Sequence, residues 1–213
     1  MNPLLDAVLV LVVLVDFFAL GSSRVPAVVR AVGAQGALLA TLPILAHQHL
    51  AAHFVLIGLG TLLVKGIVFP WLLLRAIRVG NIRRDVEPLV GFTASLLLGG
   101  AGTGLALLFS DALPLAPEHA ETRLVPAAFA TVFCGFLILT TRKKAITQIA
   151  GYMILENGIF LFGLLLLDAL PLMVEIGVLL DLLVGIFVMG VVLHHIQRTF
   201  STVDTVQFST LKE

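Results

Sequence analysis

Long apolar runs, interrupted at intervals by short clusters of charge, Pro and Gly, occupy most of the chain. Each run is close to the roughly 20 residues that an α-helix needs to cross the hydrocarbon of a bilayer. Bounded in this way, the runs predict seven helices, over about residues 3–23, 27–46, 51–77, 88–110, 124–141, 145–167 and 171–197. Pro88, Pro126 and Pro171 fall in predicted first turns, where the missing N–H has no intrahelical partner to lose. Pro70 lies inside the third run and predicts a kink there. The expected fold class is all-α, a polytopic transmembrane bundle of seven helices. No internal repeat and no Gly-, Ser- or Pro-rich linker divides it. Small residues on the fourth run, Ser95, Gly99, Gly100, Gly102 and Gly104, predict close helix packing within the bundle.

Composition removes several classes of function. Of 213 residues, 59% are hydrophobic and 12% charged, with a mean hydropathy of +1.10. Soluble domains run near 45–50% apolar and 25% charged, so a water-soluble globule is excluded, and seven spans leave no room for a soluble catalytic domain. The N-terminal stretch MNPLLDAVLVLVVLVDFF has no basic start and carries Asp6 and Asp16, so it is read as a retained first span, not a cleaved signal. The single Cys134 provides neither a disulfide framework nor a thiolate cluster site. His47, His49 and His53 have loosely ligand-like spacing, but they sit at a span boundary with no carboxylate nearby, and a metal site is not expected. Thirteen bases balance thirteen acids, so no basic face is available for nucleic acid.

Where the charges fall matters more than their sum. Arg24, Arg30, Arg75, Arg78, Arg83, Arg84, Arg142, Lys143, Lys144, Arg198 and Lys212 all alternate onto one side of the bundle. The opposite connections hold Arg123 with Asp111, Glu118, Glu121 and Asp168. The positive-inside rule then predicts an N-terminus outside and a cytoplasmic C-terminus.

Asp16, Lys65, Glu156, Glu175 and Asp181 fall within runs, where an ionised group costs roughly 2.5–3.5 kcal/mol at helix centre. Such residues usually mark ion or proton paths. The sixth and seventh spans form a tight hairpin that puts Glu156 and Asp181 within about 3 Å of the same depth, on axes about 8–10 Å apart. That is a candidate proton-sharing pair. Lys144, Gln148, Tyr152 and Glu156 recur every four residues, a polar stripe leading from the cytoplasmic end to mid-span. His195 shares a face with Asp181 and has the chemistry for proton delivery, although His194 and His195 also suit an interface. Lys65 is read as functional, with an interhelical ion pair as the structural alternative. Glu175 lies near the outer surface, where solvation is the alternative, and Asp16 is read as reaching the cytoplasmic headgroups.

The segment QIAGYMILENGIFLFGLLL (148–166), followed by PLMVEIGVLLDLLVGIFVMGVV (171–192), resembles component E of hydrogenase-4, a membrane subunit of group 4 nickel–iron hydrogenases and formate hydrogenlyases. The LENG and VEIGxxxD patterns carry the resemblance, with Asp204 and Leu211 before Lys212 in the tail. The last three spans also resemble the small 4L or K subunit of respiratory complex I and its counterpart in Mrp-type cation/proton antiporters. That resemblance implies an essential acid at Asp181, four residues before Gly185. If Asn157 is the family's asparagine, the second acid falls near Met153, one turn before Glu156. KGIVFPWLL (65–73) resembles the Lys-to-Pro stretch in broken helices of antiporter-like subunits.

The resemblance implies a division into a four-helix extension (1–123), a three-helix 4L/K-like unit (124–200) and a cytoplasmic tail (201–213). It implies a subunit of a membrane-bound hydrogenase in a bacterial or archaeal cytoplasmic membrane, relaying protons through Glu156, Asp181, Glu175, Lys65, Tyr152 and His195. Such a chain has no active site and no cofactor of its own. Nickel–iron and iron–sulfur centres belong to partner subunits, and antiporter-like subunits adjoin it. The alternatives are a subunit of an Mrp-like cation/proton antiporter and a purely structural anchor.

Overall fold

The computed structural model describes residues 3–46, 52–79, 85–111 and 123–166, together with position 190. Apart from position 190, the predicted seventh span and the tail lie outside this range. The described residues form helices joined by short extended segments, with no strand longer than an isolated bridge. Helix is the expected answer for runs that are apolar all round, because it satisfies every backbone N–H and C=O within the segment. The elements are α1 (Pro3–Gly21), α2 (Val25–Ala46), α3 (Ala52–Thr61), a π-helical stretch (Leu62–Val68), α4 (Phe69–Val79), α5 (Phe92–Asp111), α6 (Leu124–Thr141) and α7 (Ala145–Leu166). The α3, π and α4 pieces are one continuous span, so six segments long and apolar enough to cross a membrane are present among the described residues.

The break expected at Pro70 takes the form of the π stretch just before it. Phe69 donates its backbone N–H to the carbonyl of Val64, five residues back. Pro70 then has no N–H with which to continue an α ladder, and a widened turn ahead of it relieves the mismatch. Pro126 sits in the first turn of α6 as expected. Pro88 does not begin a helix: α5 starts at Phe92, and Pro88 lies in an extended segment bridged to Arg142. Leu89 donates to the carbonyl of Thr141 at 2.7 Å and Lys143 to that of Glu87 at 3.0 Å, so backbone pairing with 141–143 takes this segment out of the helix.

Among the described spans α2 is the most buried, packed against α1, the α3–π–α4 span and α7, while α5 is the least buried. Leu97, Leu105 and Leu108 of α5 point outward. Its small residues divide: a Cβ on Gly99 would meet Leu20 and one on Gly102 would meet Phe133, whereas Gly100 and Gly104 face open space. Among the described helices the closest pairing is α6 with α7, where a Cβ on Gly135 would lie 2.2 Å from the backbone nitrogen of Leu155. The basic connections 22–24 and 142–144 gather at one end with the 85–91 segment, where Val86 also donates to the carbonyl of Ser23 at 2.8 Å.

The core is layered. One apolar cluster lies toward the basic end and includes Leu20, Val29, Leu73, Ile138 and Ile154. The other lies toward the opposite end and includes Leu9, Leu39, Phe54, Ala128 and Leu161. In every contributing span the residues between these clusters include a polar one.

Candidate functional site: a buried polar layer

Between the two apolar clusters lie Asp16 of α1, Gln35 of α2, Lys65 of the π stretch, Thr131 of α6, and Glu156 and Asn157 of α7. All six are buried; Asp16, Gln35 and Thr131 are 0% exposed. Polar side chains in hydrocarbon are held in place by one another, because an unsatisfied group there costs several kcal/mol.

Lys65 Nζ lies 3.1 Å from Glu156 Oε1, and Phe160 places its ring 5.3 Å below the same ammonium. Phe160 is one turn beyond Glu156, so a single face of α7 supplies both the carboxylate and the ring. Approach of α2 to the opposite side of the π stretch depends on glycine. A Cβ on Gly36 would sit 2.6 Å from the carbonyl carbon of Lys65, and one on Gly33 would sit 2.9 Å from the ring of Pro70.

The other limb is a directed chain of hydrogen bonds. Asn157 Nδ2 donates to Gln35 Oε1 at 3.0 Å, and Gln35 Nε2 donates to Asp16 Oδ1 at 2.6 Å. Thr131 Oγ1 donates to Asp16 Oδ2 at 2.8 Å. Because Glu156 and Asn157 are consecutive, α7 joins the ion pair to this chain, and the layer runs from the third span through α7 and α2 to α1 and α6. Asp16 therefore does not reach toward headgroups, as its position near the end of α1 implied; Gln35 and Thr131 hold it inside the bundle.

At the basic end, Arg142 is 1% exposed. It donates to the carbonyls of Leu20 at 2.8 Å and Val90 at 3.0 Å and to Ser95 Oγ at 3.3 Å, and it stacks 5.2 Å over Phe92. Desolvation by burial lowers its pKa from the usual guanidinium value. Lys144 bonds the carbonyl of Asp85 and pairs with Glu87 at 3.3 Å, while Gln148 donates to the carbonyl of Arg142 at 2.9 Å. The first two members of the expected polar stripe are thus tied into this clasp. Tyr152 is half-buried one turn before Glu156.

Of the six residues expected to form a site, the structure brings Lys65 and Glu156 together. Asp181, Glu175 and His195 lie outside the described residues, as do His47 and His49. Among the described residues no group of three or more His, Cys, Asp or Glu is placed to hold a metal ion. Gln35 and Thr131 were not singled out by sequence reasoning, and Asn157 entered only as an alignment mark. The available signal was a lone polar residue near the middle of an apolar run, recurring in span after span.

The uncharacterized protein Rv0085 of Mycobacterium tuberculosis (strain ATCC 25618 / H37Rv) is 33% identical over 189 residues, covering 88% of this chain and 86% of that protein. Hydrogenase-4 component E of Escherichia coli (strain K12) is 34% identical over 94 residues, covering 43% of this chain and 44% of the relative, and the Shigella flexneri protein of that name matches to the same extent. The chain spans under half the length of these hydrogenase-4 subunits. No protein-family profile and no solved structure matches it. The chain belongs to the same family as Rv0085.

Proposed function

We propose that the chain is an integral membrane subunit of a complex I-related, membrane-bound hydrogenase of the hydrogenase-4 type, and that its buried polar layer takes part in proton or ion translocation. The partial similarity to hydrogenase-4 component E and the apolar helical bundle support the assignment to such an assembly. The observation that carries the role is the Lys65–Glu156 pair, held between two apolar clusters. A buried ion pair is often no more stabilising than apolar residues of the same shape, so its presence in hydrocarbon is better explained by work than by stability.

In this reading Glu156 and Lys65 exchange a proton within the layer, Asp181 and Glu175 extend the path through the seventh span, and Tyr152 and His195 serve its cytoplasmic side. The basic end faces the cytoplasm, in a bacterial or archaeal cytoplasmic membrane. Residues 124–200 form the 4L/K-like unit and residues 1–123 its extension. Nickel–iron and iron–sulfur centres reside in partner subunits, and the outward leucines of α5 meet lipid or an antiporter-like neighbour. The same pair also supports a second reading, a structural anchor in which it only ties the third span to α7.

Isolation of the tagged full-length chain from its native membrane tests the assembly. Co-purification of a hydrogenase large subunit supports the proposal; antiporter subunits without redox partners would point to an Mrp-like assembly instead.

A further inference from the structure

Asp16 stands apart from the ion pair in one respect: among the described residues no base pairs with it. Its two oxygens accept only from the neutral Gln35 and Thr131. A fully buried carboxylate without a counter-charge is costly, and a proton on the group removes that cost. Among the described residues Cys134 on α6 lies within electrostatic reach of Asp16, and the chain through Gln35 and Asn157 leads to Glu156 on α7 and Lys65 in the π stretch. From the other neighbouring helices, α2 and α5, come the neutral Gln35 and Gly99.

The geometry points to Asp16 as a proton-binding switch whose state is transmitted to the Lys65–Glu156 pair by reversal of the Gln35 and Asn157 amides. With Asp16 ionised, every bond in the chain runs toward it, from Asn157 to Gln35 to Oδ1. When one proton from water adds to Oδ1, an O–H bond forms there and no electrons are exchanged. That oxygen now donates, so Gln35 turns Oε1 toward it and Nε2 toward Asn157. Asn157 in turn presents Oδ1 to Gln35 and swings its own NH2 group away. An amide's oxygen and nitrogen differ little in shape, so the reversal needs no repacking of the apolar clusters.

Both amides adjoin the ion pair through the backbone. Asn157 follows Glu156 on α7, and Gln35 precedes Gly36, which packs on the peptide of Lys65. Reversal changes the dipoles facing a buried charge pair, where the low dielectric makes them count. Gln35 and Asn157 are positioning residues in this scheme, and the coupling is a property of the chain itself, whatever its partners.

Infrared difference spectroscopy of the full-length protein in lipid nanodiscs, titrated with pH, tests the switch. A carboxyl C=O band that titrates and is lost in Asp16→Asn assigns the group; Asp16→Glu shifts the band and gives the same assignment should the first variant fail to fold. The midpoint of that band is expected to move by about one pH unit or more in Gln35→Leu and in Glu156→Gln. By linkage, Asp16→Asn then moves the Glu156 midpoint by the same amount as Glu156→Gln moves that of Asp16. An Asp16 band that does not titrate while the protein stays folded would overturn the proposal. So would a midpoint unmoved in both Gln35→Leu and Glu156→Gln, or one displaced by sodium at constant ionic strength, which would mark a cation site.

Discussion

Lys65 and Glu156 form an ion pair at 3.1 Å whose two members come from the third span and from α7, the last of the described helices. Each is buried, and each places its charge within ion-pair distance of the other. Lys65→Met or Glu156→Gln alone is expected to destabilise the bundle by up to about 3–5 kcal/mol, because either change breaks the buried ion pair from one side. The double variant is expected to recover much of that loss. Unfolding midpoints of the three variants in detergent, compared as a double-mutant cycle, measure the coupling.

Gln35 joins two hydrogen bonds and is 0% exposed, so Gln35→Leu leaves Asp16 Oδ1 and Asn157 Nδ2 both without this partner. A loss of about 1–3 kcal/mol per orphaned group is expected. Thr131→Val removes the other donor to Asp16 and is expected to cost less than Gln35→Leu. Thermal unfolding of the purified variants ranks them.

Arg142 connects α1, the 85–91 segment and α5 through one planar group. Arg142→Lys is expected to be nearly as damaging as Arg142→Ala, since a single ammonium does not reproduce the fork that reaches two carbonyls and a hydroxyl. Faster proteolytic cleavage in the 85–91 segment, relative to the parent protein, is the measurable consequence.

Glycine positions of identical chemistry separate by environment. Gly135→Ala would place Cβ 2.2 Å from the nitrogen of Leu155, while Gly104→Ala meets nothing within 4 Å. The first is expected to cost at least about 1–3 kcal/mol through forced separation of α6 and α7, and the second about 0.5 kcal/mol or less. Folded yield and unfolding midpoint distinguish them.

Apolar periodicity and charge placement made six of the spans legible to within a few residues, because a bilayer demands length and backbone satisfaction and little else. Lys65 and Glu156 were visible for the complementary reason: a charge in the middle of an apolar run is conspicuous. Their pairing was legible only as an alternative, since it depends on how α2 seats against the π stretch through Gly33 and Gly36. Asp16 was misjudged because its distance along α1 from the helix end suggested water, whereas Gln35 and Thr131 on other helices decide its environment. The start of α5 was misplaced because Pro88 is equally at home in a first turn and in an extended edge, and pairing with 141–143 selects the latter.

The proposed orientation is open to a labelling test. In a Cys134→Ala background, Arg83→Cys and Glu118→Cys each supply a single thiol on opposite connections. A membrane-impermeant thiol reagent applied to intact cells is expected to label the second and spare the first until the membrane is opened.

In the proposed function the Lys65–Glu156 pair serves translocation and not merely assembly. Proton uptake or release driven by turnover of the complete assembly, reconstituted in sealed vesicles with Glu156→Gln or with Lys65→Met, measures this directly. Compared in assemblies of matched, parental subunit composition, both variants are expected to lose about tenfold or more of the translocation rate. Assembled variants that translocate at the parental rate would contradict the account.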